Sequence, residues 1–124
     1  MLTTGVDIIE ISRVRGVLER YNDRFQRRIF TAGEIAYCQG RAPNLAARFA
    51  AKEATMKALG TGVRGVGWKD IEVVRQPNGA PSIQLYGRAE ARAKRLGVAE
   101  IALSISHSHE YAVAFVVAQC QPET

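Results

Sequence analysis

A chain of 124 residues, 47% apolar and 23% charged, has enough material for one globular domain with a single core and does not have the composition of a disordered segment. Its net charge of +5 favours an acidic partner, and the spread of the basic residues argues against a disordered nucleic-acid arm. Cys38 and Cys120 form no C-x-x-C pair, and Met1–Asp7 lacks a basic start followed by a long apolar run, so free thiols, no signal peptide, no membrane span and a cytoplasmic location are expected.

Gly5-Val6-Asp7-Ile8-Ile9 reads as a strand or as an extended lead into the next helix. Asp7 inside it is costly to bury unless paired or bound to metal. It equally suits the acid favoured at a helix N-terminus. Ile11, Val14, Val17, Leu18, Tyr21 and Phe25 then recur at helical spacing. Arg13, Arg20, Arg24, Arg27 and Arg28 occupy the other face, and Tyr21-Asn22-Asp23 is a candidate break. Thr31-Ala32-Gly33-Glu34 matches a capping box, so a short helix should start near Ala32. Gly40–Pro43 ends it, and Pro43 or Asn44 opens the next.

The stretch Arg48–Gly62 is the centre of the chain. Its Ala, Leu, Met, Lys and Glu are strong helix formers, and Gly60 stands where a helix end needs left-handed geometry. Glu53 and Lys57 share a face, and Arg48 and Lys52 share a neighbouring one. A carboxylate among cations suits a metal ion and a polyanionic substrate. An ordinary salt bridge on a solvated helix explains the same spacing.

Gly60–Gly67 reads as a glycine-rich loop with no Walker or dinucleotide fingerprint. Asp70–Val74 and Ser82–Tyr86, joined by Pro77–Pro81, read as a β-hairpin. Gly87–Leu96 reads as a helix capped by Gly97. Ile101–Ser106 and Tyr111–Ala118 are the strongest strand patterns, with Ser106–Glu110 turning between them and a frayed tail from Gln119. Strands and helices mix without strict alternation, which predicts a single α+β domain over residues 1–124.

Few residues offer chemistry. His107-Ser108-His109 lacks a third His or nearby Cys to complete a zinc set, and no G-x-S-x-G elbow supports a serine nucleophile. Asp7 and Glu53 are two hard carboxylates that suit a divalent cation if the fold unites them. A non-enzymatic module for an acidic protein or nucleotide explains the charge but leaves these two acids without a role. An RNA-binding domain conflicts with only 7% aromatic residues and no aromatic–basic stacking pattern on the expected strands.

Three motifs converge: Gly5-Val6-Asp7-Ile8, then Arg48–Ala54 with Lys57–Gly62, then Leu103–Ser108. Together they resemble the holo-[acyl-carrier-protein] synthase family, the single-domain 4'-phosphopantetheinyl transferases. The resemblance runs from about Gly5 to Ala118. It implies an α+β fold with a mainly antiparallel sheet packed on a long central helix. It implies transfer of phosphopantetheine from coenzyme A to a serine of apo acyl carrier protein, with Mg²⁺ as cofactor and adenosine 3',5'-bisphosphate as the other product. It assigns Asp7 and Glu53 to the metal, and Lys57 to the phosphates and the transferred group. Glu53, directly or through water, is the candidate base. Arg48, Lys57, Gly60, Gly62, His107 and Ser108 fall at coenzyme A positions. Arg13, and more weakly Arg20 and Arg24, fall where the carrier docks. Ile9 stands where the larger two-lobed relatives tend to carry a second acid. The family also implies a homotrimer with active sites between subunits, and neither nucleic acid nor membrane as partner.

Overall fold

The computed structural model describes residues 1–121. Strand β1 (Leu2–Glu10) leads into helix α1 (Ile11–Ile29), followed by α2 (Ala32–Cys38) and α3 (Ala42–Leu59). A helical turn, α4 (Gly62–Gly65), and a 3-10 turn (Trp68–Asp70) precede the hairpin β2 (Ile71–Arg75) and β3 (Pro81–Leu85). Helix α5 (Gly87–Leu96) and strands β4 (Val98–His107) and β5 (Tyr111–Cys120) complete the order.

The β1, β5 and β4 strands form an antiparallel sheet in that spatial order. Its register sets Asp7 opposite Ala114, and Ala114 opposite Ile105. The β2–β3 hairpin is a separate two-stranded sheet. Side chains alternate across a strand. On β5 this puts Ala112, Ala114, Val116, Ala118 and Cys120 inward, while Tyr111, Val113 and Phe115 face outward and exposed. The inward residues are small, and Ala114 and Val116 among them meet Ala50, Ala54 and Ala58 of α3. Small residues on both surfaces let helix and sheet approach closely.

Gly5 marks the tightest point of that approach. A Cβ there would lie 1.9 Å from the carbonyl oxygen of Ala54, so no other residue fits without moving α3 off the sheet. At the other end of α3, Gly60 takes the left-handed conformation (φ 72°) and ends the helix as its position in the sequence predicts.

The expected capping box is present: the Thr31 hydroxyl accepts from the Glu34 N–H, and the Glu34 carboxylate accepts from the Thr31 N–H. The break in α1 falls at Asn22, the hairpin lies one residue from its expected place, and α5 with its Gly97 cap matches.

Four expectations are corrected. The central helix begins at Ala42, because proline needs no N–H partner in a first turn and sits inside it. The stretch Gly60–Gly67 includes the helical turn α4 rather than being wholly loop. The chain does not fray at Gln119: β5 continues to Cys120, which is buried, and its N–H donates to Met1 O at 2.8 Å. The remainder of the expected tail, residues 122–124, lies outside the described residues. Finally, α3 is not a solvated helix. Arg48 and Lys52 are 2% and 0% exposed, because α2 and β2 cover that side.

Candidate active site

Asp7 lies in the middle of β1 and pairs with β5, so it is not a helix N-terminal acid. The close packing at Gly5 presses this strand on α3 and brings Asp7 to Glu53 and Lys57. The Lys57 ammonium donates to the carbonyl of Val6 at 2.9 Å and reaches Asp7 Oδ1 at 3.4 Å. Asp7 is mostly buried, whereas the Lys57 side chain is 54% exposed and free to swing toward a ligand. With the Lys57 ammonium this exposed and 3.4 Å away, the pair contributes little stability, typically below ~1 kcal/mol.

Glu53 is half-buried beside them, and its pKa is raised. Burial is the first cause, and the charge of Asp7 together with a hydrogen bond to it adds to the rise. Lys57 and Arg13 act in the opposite direction. Two carboxylates and two cations from β1, α1 and α3 therefore meet at one place. Like charges held together in partial burial are unfavourable unless a proton or a cation joins them.

The sign of this effect gives a test. A raised pKa means that the folded chain holds the Glu53 proton more tightly than the unfolded chain does. Stability from this group is full below the ordinary carboxylate value and is lost as pH rises through the folded value. In chelator, Glu53→Gln should therefore melt above the wild type once pH passes that window, and the gap should close at lower pH. Thermal melts across pH check this; parallel curves would contradict it.

Gly60 and Gly62 follow Lys57 by three and five residues, with φ of 72° and 62°. The Arg92 Nε donates to Leu59 O at 2.9 Å and ties α5 to this helix end. His107 is at the end of β4, two residues beyond the row that holds Asp7 and Ile105. It is exposed, and Ser108 Oγ accepts from the N–H groups of Glu110 and Tyr111, which shapes the turn. Arg13, Arg20 and Arg24 are all exposed on α1.

Arg48 is not part of this group. On a regular helix Arg48 and Glu53 are about 140° apart. The Arg48 guanidinium lies over the Tyr37 ring of α2 at 4.2 Å, with Arg75 at 5.1 Å and Arg41 at 5.9 Å from the same ring. Arg48 Nε is buried without a partner among the described residues. Arg48, Tyr37, Arg75, Glu72 and Gly33 line an opening of about 190 Å³ between α2 and β2. Sequence reasoning missed Tyr37, Arg41 and Arg75: Arg75 is more than thirty residues from the other two, and none of the three carries a motif.

Lys52 also points away from Glu53. Its ammonium pairs with Glu34 Oε1 at 2.7 Å, both side chains fully buried, and donates to the carbonyls of Trp68 and Ile71. Burial lowers the Lys52 pKa, and Glu34 opposes that shift. The capping box hinted at Glu34, but nothing in the spacing of the sequence foretold its second role.

A model of the 4'-phosphopantetheinyl transferase superfamily matches residues 3–116. The chain belongs to this superfamily. It is 50% identical over 119 residues to the holo-[acyl-carrier-protein] synthase of Dehalococcoides mccartyi, covering 96% of this chain and 99% of the relative. The corresponding synthase of Koribacter versatilis is 50% identical over 121 residues, covering 94% and 97%. Among solved structures, the Helicobacter pylori holo-[acyl-carrier-protein] synthase in complex with coenzyme A superposes with a TM-score of 0.86 at 31% identity, covering 94% of this chain and 99% of that one. The Bacillus anthracis synthase in complex with CoA (3',5'-ADP) gives 0.78 at 37% identity, covering 96% of each.

Proposed function

We propose that this phosphopantetheinyl transferase superfamily member is a holo-[acyl-carrier-protein] synthase. It transfers 4'-phosphopantetheine from coenzyme A to a serine of apo acyl carrier protein. The observation that carries the reading is the meeting of Asp7, Glu53 and Lys57, three family positions from distant parts of the chain. The full-length similarity to synthases of that name supports it.

The donor set fits magnesium: two hard carboxylates held together in partial burial, with the exposed Lys57 ammonium beside them. Asp7 and Glu53 would hold Mg²⁺, which when bound supplies positive charge against the pyrophosphate of coenzyme A. The chain's own groups do the rest. Lys57, exposed at the mouth, sets its ammonium against the phosphoryl oxygens where charge develops. Glu53, directly or through water, accepts the proton of the carrier serine. The serine oxygen then bonds to phosphorus, and adenosine 3',5'-bisphosphate leaves.

Arg48 is assigned to the nucleotide's phosphates. Its unpartnered Nε and the guanidiniums around Tyr37 support an anion site there. Within one chain this site and the acids open on different sides of α3. A coenzyme A site completed by a second copy accommodates both, with His107, Ser108, Gly60 and Gly62 as further contacts. The exposed apolar face of the main sheet, bearing Leu2, Val6, Ile8, Tyr111, Val113 and Phe115, supports assembly into the family's homotrimer. Arg13, Arg20 and Arg24 give α1 a positive face for an acidic carrier. The chain's α3 and other helices are not long and apolar enough to cross a membrane among the described residues. A cytoplasmic location, without nucleic acid as partner, fits these substrates.

The test is intact-mass spectrometry of apo acyl carrier protein incubated with this protein, coenzyme A and Mg²⁺. The expected result is a gain of one phosphopantetheine, lost in EDTA. No gain on a carrier that another synthase modifies would overturn the reading. Native spectra of the same protein should show three chains.

A further inference from the structure

Anions bind most readily at helix N-termini, where unpaired N–H groups and the positive end of the helix dipole face them. The coenzyme A positions named above reverse this arrangement. Lys57 is in the last turn of α3, and Gly60 and Gly62 follow directly after it. A helix C-terminus carries the equivalent of about half a negative charge. A diphosphate brought there is repelled unless cations offset that charge. Lys57 is one cation, but its ammonium is drawn toward Val6 and Asp7 of β1.

The backbone closes most of this helix end by itself. The Gly60 N–H donates to Lys57 O and the Thr61 N–H to Met56 O, both at 3.1 Å. That is the usual pairing where a left-handed glycine ends a helix. It leaves the carbonyl of Leu59, the last helical residue, for a partner from elsewhere. Arg92 of α5 supplies it, with Nε donating at 2.9 Å. Its Nη2 is against the turn as well: a Cβ built on Gly60 would lie 3.5 Å away. Packing accounts for the reach. Ala89 and Ala93 are buried in one cluster with Met56 and Leu59, which seats α5 on the end of α3. Arg92 then falls at the margin of that contact and is half-buried.

The charge of Arg92 is not spent on a carboxylate. None of the three ion pairs among the described residues includes it. Capping alone does not call for a guanidinium. Glutamine has its amide nitrogen at the same distance along the side chain as arginine Nε, and it would satisfy the same carbonyl. What arginine adds is a positive charge, held at the negative end of α3 and beside Gly60.

We propose that Arg92 is a positioning residue of the coenzyme A site. It fixes the glycine turn through the Leu59 carbonyl, and its charge offsets the negative end of α3 so that the turn accepts phosphate. The inference rests on the coenzyme A reading given above.

Calorimetric titration of the full chain with coenzyme A in the presence of Mg²⁺ tests it. Arg92→Gln keeps the donor to Leu59 O and removes the charge. It should bind coenzyme A about tenfold more weakly, the scale of a half-buried charge at a helix end. Arg92→Lys keeps the charge, one bond further out, and should stay within about threefold of wild type. Added salt should narrow the gap between the wild type and Arg92→Gln, because screening weakens what the charge contributes. A residue that only capped the helix would give wild-type affinity in the glutamine variant, and that result would overturn the proposal. So would a lysine variant that has lost about tenfold in affinity, or a gap that salt leaves unchanged. The lysine result is decisive even if the glutamine variant does not fold. A wild-type protein that binds no coenzyme A would instead overturn the reading on which the proposal rests.

Discussion

Replacing Glu53 by glutamine should lower turnover by about a thousandfold or more while the protein stays folded. The amide keeps the size of the side chain and removes two capacities together, negative charge and proton acceptance. Three decades in rate correspond to about 4 kcal/mol in the barrier, within reach of a lost base and a weakened cation site. The fold has little to lose. Burial and the nearby Asp7 charge already disfavour an ionised Glu53, so a neutral amide relieves repulsion. Initial rates by mass spectrometry, with melting temperature alongside, check both halves. Wild-type turnover in this variant would remove the metal and base roles together. A collapsed melting temperature would mean that the residue is structural.

Lys52, one residue earlier, should behave in the opposite way. Lys52→Ala leaves the fully buried Glu34 carboxylate without its cation and takes the donor from the Trp68 and Ile71 carbonyls. Breaking a buried pair from one side costs about 3–5 kcal/mol, a large share of a total that is commonly ~5–15. Denaturant unfolding measures it. Replacing the pair by apolar residues often recovers the loss, but not here. Glu34 also accepts from the N–H groups of Thr31 and Val73. A Lys52→Met/Glu34→Leu double variant would leave two carbonyls and two N–H groups without these partners, each a cost of about 1–3 kcal/mol. It should be no more stable than Lys52→Ala. Full recovery would show that the backbone contacts matter little.

The contrast between these neighbours bears on how far the sequence can be read. Capping chemistry, left-handed glycines and period-two alternation act within a few residues, so the start of α2, the Gly60 end of α3, the Gly97 end of α5 and the existence of β4 and β5 were legible in it. The α+β class was legible for the same reason, and the family motifs carried the likeness to the synthases. The charges of α3 were legible only in part. Helical spacing separates Arg48 and Lys52 from Glu53 and Lys57, but alanines surround the helix and mark neither side as inner or outer.

Tertiary packing made that choice. Gly5 admits β1 on one side, where Asp7 then faces Glu53, while α2 and β2 cover the other and enclose Lys52. The break near Asn22 was visible as a run of weak helix formers, yet its angle comes from the buried residues on either side and from Gln26. Local chemistry depends on a few neighbouring residues and is written in order along the chain. Which face of a helix is buried depends on surfaces brought from fifty residues away, and those meet only in the folded molecule.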